Sequence, residues 1–517
     1  MDGPDPDQVT RLSDEVSHVS LHTSRWLTRL AGIPGEIEDQ FDICARQYLL
    51  AATLYTELQP SILLAVGSRP TGLAAPHHWR AYLQARGLRF RPAASVLRYG
   101  RVVLLHGVRG VSTAMRILIA SLRGKLSAAP QQPYDVLMTL PPSLLSRGGN
   151  GPRESLVGWF ADRSRGAPLW IETPTGVSEL PANCTTVAIA LPRLSGFGYL
   201  QFMIGSARAL AAAIVGVMVG QPHVMLLLRD MVQLAHARAL GPASMARNYA
   251  AENSQWIHRP LYTVWAERVA GSRAQLLFYA TNMDESIRYG SRHGKPTFLP
   301  GYRIMSWSDY LVWDSHHADL VRAWGHDSSR IIIVGTVPLT DSGSLIPALP
   351  PRSVAIFDVA PFKPARLAKL GLVPPYYSAR VTVDFLRQCQ EAVRSVGGTL
   401  ILKQKRDIGN HAHSSYRVET EILKASPDVL ILDPGISARR LVEMCDAVVS
   451  MPFSSPGLFG RESGVPSALF DPTGTIVASE RQRHGLPLLQ GEPALRQWLA
   501  DAFTADRLAE SSGRLSE

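Results

Sequence analysis

The chain has 517 residues, of which 46% are hydrophobic and 19% charged, a balance that excludes a disordered, collagen-like or coiled-coil protein. Its 53 Lys and Arg residues against 43 Asp and Glu give a net charge of +10. These cations are mostly scattered arginines rather than runs interleaved with aromatic residues, so we expect no nucleic-acid partner.

The first two thirds of the chain alternate apolar runs with helical stretches, which predicts a large α/β domain with insertions over residues 1–345. Residues 142–168 are predicted to form a surface loop. The predicted strands are 61–67, 101–107, 135–140, 168–174, 185–192, 274–281 and 330–337.

The apolar segment 207–228 has about the length needed to span a bilayer. A Gln-Pro-His interruption at 221–223 and the flanking Arg208 and Arg229 argue against a spanning helix. We interpret residues 196–240 as an apolar helical segment that forms a buried or interfacial hairpin. This interpretation leaves peripheral membrane contact open.

Aromatic residues lie beside carboxylates and an arginine in residues 250–272, a mixture that suits sugar binding. A carboxylate near the crevice can act as general base on an acceptor hydroxyl, with Glu252 the first choice and Glu285 or Asp284 the second. Arg259 can clamp a carboxylate or a phosphate through two parallel hydrogen bonds. A structural salt bridge is the competing interpretation for each carboxylate.

A proline-rich stretch at 346–353 predicts a linker, and residues 354–517 beyond it alternate strands and helices. Strands this apolar predict a parallel sheet covered by helices on both faces, which is a Rossmann-like domain. The predicted strands are 353–359, 399–405, 428–434, 446–452 and 467–472.

Three cations, Lys403, Lys405 and Arg406, stand at the carboxyl end of the second of these strands. Such cations point towards the crevice where open α/β sheets bind ligands, and they can neutralise a phosphate leaving group. A solvated charged turn is the alternative.

The segment from 446 to 474 is the most informative, because a strand ends at Pro452-Phe453 and Ser454-Ser455 then open a short helix. Backbone N–H groups and serine hydroxyls at a helix start suit an anionic phosphate. Glu462, seven residues after Ser455, can accept hydrogen bonds from both hydroxyls of a ribose. Alternatively, the serines are only helix caps and Glu462 is a solvated residue.

This arrangement resembles the donor half of GT-B glycosyltransferases, which contain two Rossmann-like domains and hold the nucleotide ribose with an acidic residue in an E-x-x-G-x-P-like turn. Here the turn is the shorter ESGVP. Six motifs over roughly residues 245–500 also look like the bacterial polysaccharide biosynthesis proteins named for a PFTS motif, with Ser454 in place of Thr. They are ENSQWIHRPLYTVWAE, FYATNMDES, YLVWDSHHADLV, ILKQKR, LDPGISARRLVEMCDAVVSMPFSSPG and SALFDPTG.

The resemblance implies a role in surface-polysaccharide assembly, O-antigen or capsule included, as a GT-B-like glycosyltransferase. The layout is also similar to bacterial sialyltransferases and Kdo transferases, which use CMP-activated acids and carry an HP motif on the equivalent strand. This chain has Lys403-Gln404-Lys405-Arg406 there, which counts against a CMP-activated donor.

We therefore predict an α/β protein of two Rossmann-like domains that transfers a sugar from a nucleotide-sugar donor to a glycan or a lipid-linked acceptor. We expect no further cofactor and no metal, because the cations can balance the leaving phosphate and no metal-ligand spacing is present. Four widely spaced cysteines without a CxxC pair indicate reduced thiols in the cytoplasm. A nucleotide-sugar epimerase and a non-catalytic assembly or regulatory protein stay as alternatives.

Overall fold

The computed structural model describes most of the chain. The strand predicted at 61–67 lies outside the described residues, as do Asp284, Glu285, Lys405 and Arg406. The described residues are 21–53, 92–145, 154–174, 180–253, 258–280, 302–326, 329–363, 376–404, 409–478 and 480–513, with Leu12, Glu15, Val19, Gln84 and Ala85.

Seven parallel strands form the N-terminal sheet, in the order β3-β2-β1-β4-β5-β6-β7. Most of their residues are buried, as expected for a parallel sheet with helices on both faces. The strands are β1 Asp135–Leu137, β2 Leu169–Glu172, β3 Cys184–Val187, β4 Asn248–Glu252, β5 Arg273–Leu277, β6 Asp309–Val312 and β7 Arg330–Ile333.

Six parallel strands form the C-terminal sheet, in the order β10-β9-β8-β11-β12-β13. This is the strand order of a Rossmann domain, and the N-terminal sheet follows the same order with one strand added. The predicted fold class, two Rossmann-like domains with the N-terminal one larger, is therefore confirmed. The strands are β8 Ser353–Phe357, β9 Thr399–Lys403, β10 Val429–Leu432, β11 Ala447–Ser450, β12 Ser467–Asp471 and β13 Leu488–Gln490.

Helices cover both sheets. In the N-terminal domain they are α1 Arg25–Leu30, α2 Glu38–Thr53, α3 Pro92–Leu122, α4 Leu156–Arg163, α5 Gly198–Met218, α6 His223–Leu226, α7 Leu228–Leu240, α8 Leu261–Ala270 and α9 Ser315–Ala323. In the C-terminal domain they are α10 Ala379–Ser395, α11 Ser414–Lys424, α12 Ala438–Val442, α13 Pro456–Glu462, α14 Glu480–Arg483 and α15 Glu492–Gly513.

Ten predicted strands coincide with observed strands, and they are the ones in which β-rich apolar residues run together. Two other predictions are wrong. Residues 101–107 lie inside α3, and residues 156–163 of the predicted surface loop form α4. The run Val102 to Leu105 reads as a strand because an apolar run this short does not show a helical period. In α4, Leu156 and Val157 are fully buried against the N-terminal sheet.

The predicted apolar hairpin is present in the structure. α5 ends at Met218, the chain turns through 219–222, and α6 and α7 return. Most residues of α7 are buried because it packs against α3, α5 and α8, whereas α3 and α5 form the outer layer. The four cysteines are free thiols, as predicted, and three of them are buried.

Close packing of α3 on α7 depends on Gly110. A Cβ atom added there would overlap with the side chain of Leu228. Gly110→Val is expected to lower the free energy of unfolding by about 1–3 kcal/mol, because the two helices would have to separate. Gly100→Ala is the matched control in the same helix, since its Cβ would meet no atom within 4 Å, and it should stabilise by about 0.5–1 kcal/mol. Equal chemical-denaturation curves for the two variants would contradict this packing.

Candidate functional site

The Pro-Phe-Ser-Ser segment follows β11, the strand that adjoins β8 where the order of the C-terminal sheet reverses. Open α/β sheets bind ligands outside the carboxyl ends of the strands at such a point. The backbone of Phe453 has a φ of +62°, which a residue with a bulky side chain rarely adopts. Its ring packs on Ile476, and Tyr377 donates a hydrogen bond to the Pro452 carbonyl at 2.7 Å. These contacts hold the sharp turn from which α13 begins.

The two serines of this turn have different surroundings. The Ser454 hydroxyl is buried and donates to the Met451 carbonyl at 2.8 Å. Ser455 is the N-cap residue of α13, is partly exposed and forms no side-chain hydrogen bond with the described part of the chain. The Ser455 hydroxyl is therefore not used by the described part of the protein, whereas Ser454 stabilises the turn.

Glu462 ends α13 and lies against the N-terminal domain. Its Oε1 accepts a hydrogen bond from the Thr336 N–H at 2.8 Å, and its Oε2 accepts from the Thr336 hydroxyl and from the Arg439 guanidinium. Both carboxylate oxygens are therefore engaged in this conformation. A ribose would have to replace Thr336 as hydrogen-bond donor to Glu462.

Lys403, the last residue of β9, is buried and lies level with Ser450 across the C-terminal sheet. The register places Lys403 beside Phe357 of β8, and Phe357 pairs with Ser450 of β11. At about 4.8 Å between neighbouring strands, the backbones of Lys403 and Ser450 are about 10 Å apart. The ends of β9 and β11 therefore share one edge of the sheet.

A carboxylate not selected from the sequence, Asp358, lies between these two strand ends, directly after β8. It is buried and accepts a hydrogen bond from the Tyr416 hydroxyl at 2.5 Å, and Gln404 donates to that hydroxyl at 3.0 Å. Burial, reinforced by the Asp358 carboxylate, raises the pKa of Tyr416 far above its usual value. Gln404 and Tyr416 also line a cavity of 710 Å³ beside β10. The sequence does contain a signal for Asp358, namely an acidic residue directly after an apolar strand.

The N-terminal sheet has its own reversal point between β1 and β4, and a cavity of 360 Å³ lies there. Two guanidinium groups, Arg109 from α3 and Arg229 from α7, line it and form no ion pair with a described residue. The carboxylates in the lining are already hydrogen-bonded. Asp230 accepts from His258 at 2.8 Å, and Glu172 accepts from the Thr139 N–H at 3.0 Å.

His106 lines the same cavity. Burial, reinforced by the charges of the neighbouring Arg109 and Arg229, lowers its pKa to about 4. Its imidazole is therefore neutral at pH 7, and the two guanidinium groups are the cations that this cavity presents without a carboxylate partner.

Glu252 ends β4 at this reversal point. Side chains alternate along a strand, so Glu252 points to the opposite face of the sheet from Ala251, which lines the cavity. Glu252 is fully buried. The neighbouring Asn253 is held by a hydrogen bond, since its side-chain oxygen accepts from the Tyr279 N–H at 3.2 Å.

Arg259 is held by protein groups. Its guanidinium donates to the Ser306 carbonyl at 2.7 Å and forms an ion pair with Glu267. Burial raises the pKa of Glu267, but the charge of Arg259 and the hydrogen bonds from Ser308 and Arg259 together outweigh that effect, so the pKa is lowered. Of the aromatic residues in 250–272, Trp265 belongs to the core, whereas Tyr262 is buried yet lines the cavity.

Two further carboxylates join the domains. Asp314, which caps α9 of the N-terminal domain, accepts hydrogen bonds from Arg461 at 3.0 Å and from His484 at 2.8 Å. Asp341, in the connection between the sheets, accepts from Arg440 at 2.5 Å. Sequence reasoning missed these contacts. Only the Asp314 helix cap was visible in the sequence, as an Asp between a strand and a helix.

Comparison with known proteins identifies the family. The sequence model of the family described as "Polysaccharide biosynthesis PFTS motif protein" matches residues 205–499. No curated protein matches the chain.

Solved structures similar to the chain include UGT89C1 of Arabidopsis thaliana complexed with UDP-L-rhamnose, with 12% identity and a TM-score of 0.37 over 72% of this chain and 90% of that one. The glycosyltransferase SnogD of Streptomyces nogalater has 16% identity and a TM-score of 0.36 over 74% of this chain and 99% of that one. A ugt transferase of Siraitia grosvenorii in complex with UDP has 10% identity and a TM-score of 0.36 over 72% and 91%.

Proposed function

We propose, since the chain belongs to the polysaccharide biosynthesis PFTS motif family, that it is a glycosyltransferase of bacterial surface-polysaccharide synthesis acting in the cytoplasm. It transfers a sugar from a nucleotide-activated donor to a glycan or lipid-linked acceptor. The observation that carries the proposal is the Pro-Phe-Ser-Ser turn. It lies at the reversal point of a Rossmann-ordered sheet, where such sheets bind ligands.

The donor binds on the C-terminal domain in this proposal. Its phosphates face Ser455 and the buried Ser454, with Lys403, Lys405 and Arg406 supplying positive charge, and its ribose hydroxyls bind Glu462. As the bond between the anomeric carbon and the phosphate oxygen breaks, the nucleotide leaves with the electron pair. Preorganised cations stabilise that developing charge.

The acceptor enters from the N-terminal domain. A carboxylate takes the proton from the acceptor hydroxyl, whose oxygen then bonds to the anomeric carbon. Glu252 is the first candidate for this base, and Glu285 or Asp284 is the second. Arg259 has no role in the reaction in this proposal, because its guanidinium is committed to Ser306 and Glu267.

The first experiment is a thermal-shift screen of the full chain with UDP-, GDP-, dTDP- and CMP-sugars. We expect one nucleotide class to stabilise the protein, by about 2.7 kcal/mol at a hundred times its Kd. Glu462→Ala should lose most of this ligand-induced shift, measured against its own ligand-free melting temperature. Glu391→Ala, which removes an exposed carboxylate of α10, should keep it.

The outcomes separate the parts of the proposal. If no nucleotide sugar stabilises the wild-type chain, the donor site is wrong. If both variants keep the shift, the ribose contact is wrong but donor binding stands. Incubation with the stabilising donor then tests the reaction, because an epimerised free nucleotide sugar, detected by NMR, would contradict a transferase.

A further inference from the structure

The outer helices α3 and α5 expose apolar side chains along their whole length. Only 17% of the most apolar window of α3 and 28% of that of α5 are buried inside the protein. The exposed large apolar residues of α3 are Val96, Leu97, Leu104, Leu105, Val108, Val111, Met115, Ile119 and Leu122. Those at α5 are Phe197, Leu200, Met203, Ile204, Ile214, Val217, Met218 and Val219. We call these residues together the apolar surface.

Soluble monomers rarely expose an apolar patch of this extent, so the apolar surface is expected to have a partner. The helix beneath it is covered normally, since eight of the 13 residues of α7 are buried and Arg238 alone among them is exposed. The exposed apolar residues of α3 and α5 therefore lie on the outer side of a packed helical layer and do not reflect a loosely packed domain.

All the Asp, Glu, Lys and Arg positions of α3 and α5 are occupied by cations. Neither α3 nor α5 contains an Asp or Glu, while α3 carries four arginines and is followed by Arg123 and Lys125. Arg101 and Arg123 are exposed beside the apolar residues. Apolar side chains rimmed by cations, without acidic residues, are typical of helices that lie in the headgroup region of an anionic membrane.

Both helices are long and apolar enough to span a bilayer. Each of them, however, packs along one side on the folded N-terminal domain. Gly110 of α3 lies against Leu228, and Gly205 of α5 lies against Ala235. Arg109 also stands in the middle of α3, where a spanning helix would place it in hydrocarbon. The packing is therefore compatible with helices lying in the membrane plane.

A second copy of the chain fits the apolar surface less well. In a twofold dimer the same patch meets itself, so the cationic rims of two copies would face each other. Like charges brought together in this way oppose association. An anionic lipid surface complements both the apolar residues and the charge.

We propose that α3 and α5 dock the chain on an anionic membrane leaflet, with both helices in the plane of the membrane. Arg109 belongs to α3 and also lines the N-terminal cavity, so docking brings the mouth of that cavity to the lipid headgroups. The acceptor class that follows is a membrane lipid carrying the glycan. That last step rests on the proposed transferase function, whereas the docking does not.

The experiment is flotation of the full chain with vesicles of phosphatidylcholine alone or mixed with phosphatidylglycerol. We expect binding to the mixed vesicles that falls at high salt. The triple variant Leu97→Gln, Leu104→Gln, Val108→Gln should lose at least tenfold in partition coefficient, since each residue would otherwise bury apolar area in lipid. The matched control is Val418→Gln with Ile422→Gln, which changes exposed apolar residues of α11 and should bind like wild type.

A charge variant tests whether the cations beside the apolar surface contribute to membrane binding. Arg101→Gln with Arg123→Gln should weaken binding to the mixed vesicles by about thirtyfold, from about 1 kcal/mol for each cation near an anionic surface. It should bind phosphatidylcholine vesicles as wild type does. All three variants should keep the wild-type melting temperature, because the changed side chains are exposed.

Two results would overturn the docking proposal. One is a wild-type chain that floats with neither vesicle. The other is a wild-type dimer, measured by light scattering without lipid, that the triple variant converts to a monomer, because the apolar surface would then be a self-interface. The nucleotide-sugar thermal shift is recorded in parallel. A persisting shift without flotation would refute docking alone, and flotation without a shift would refute only the transferase.

Discussion

Glu252→Gln is expected to lower the turnover number of sugar transfer by about two to four orders of magnitude while donor binding stays unchanged. Glutamine keeps the size of the side chain but cannot accept a proton from an acceptor hydroxyl. The measurement is kcat and KM with the donor that the thermal-shift screen identifies, together with the donor-induced shift of the variant. A fall in kcat with an unchanged shift is the expected combination.

The position of Glu252 is the reason for choosing it. It ends β4, the strand at the reversal point of the N-terminal sheet, where ligands of open α/β sheets bind. It is fully buried. Its side chain faces away from the cavity that Ala251 lines, so this edge of the sheet has to open before an acceptor hydroxyl reaches the carboxylate.

The matched control for this prediction is Glu419→Gln. Glu419 is also a buried carboxylate, but it belongs to α11 of the C-terminal domain and is ion-paired with Arg387. Its replacement should lower the melting temperature and leave kcat within a few-fold of wild type. If Glu252→Gln behaves in the same way, Glu252 is structural, and Asp284 and Glu285 become the candidates for the base.

Strand prediction succeeded where the sequence pattern is local. β8 to β12 each contain a short apolar run, and such runs bounded by turn residues identify buried parallel strands. β4 and β6 were missed because NYAAE and DYLV begin with polar residues and lack a long apolar run. In α3 the error has the opposite cause. Apolar residues such as Leu104 and Leu105 also occupy its exposed face, and together with the buried Val103 they form the short continuous run that is typical of a buried strand.

For the candidate site, too, the sequence predicts the features that are local in the chain and not the contacts between distant residues. The Pro-Phe-Ser-Ser turn and Glu462 lie within 11 residues of one another, and the short helix between them could be anticipated from the sequence. The hydrogen-bond partners of Glu462 could not be anticipated from the sequence. Thr336 and Glu462 are separated by 126 positions, and only the folded chain brings them together. The ion pair of Arg259 with Glu267 could not be anticipated either, because it depends on the fold of the loop before α8. The sequence therefore suggested Arg259 as a clamp for a phosphate or a carboxylate.

Asp314 is the residue whose replacement should most affect the coupling of the two domains. Its carboxylate is 15% exposed and accepts hydrogen bonds from His317 in its own domain and from Arg461 and His484 in the other. Burial raises the pKa of Asp314, but the hydrogen bond from His484, with those from His317 and Arg461, outweighs it. The pKa is therefore held well below its usual 3.8.

Asp314→Ala is expected to lower the free energy of unfolding by about 3–5 kcal/mol at pH 7, because it leaves Arg461 and His484 at the interface without their carboxylate and removes the cap of α9. Calorimetry should show a lower melting temperature and two transitions, one for each domain. Asp319→Ala in the same helix is the control. Asp319 forms an exposed pair with Arg322, which should contribute less than about 1 kcal/mol.

The dependence on pH follows from the direction of the shift. A carboxylate whose pKa is lowered by folding stabilises the folded state above its unfolded pKa, and this contribution is lost as the pH falls towards the folded value. The difference in unfolding free energy between wild type and Asp314→Ala should therefore be constant above about pH 5 and shrink below about pH 4. A difference that stays constant down to acid unfolding, or a variant that melts like Asp319→Ala, would show that Asp314 does not couple the domains. In that case Glu462 and Asp341 would be left as the carboxylates that hold the domains together.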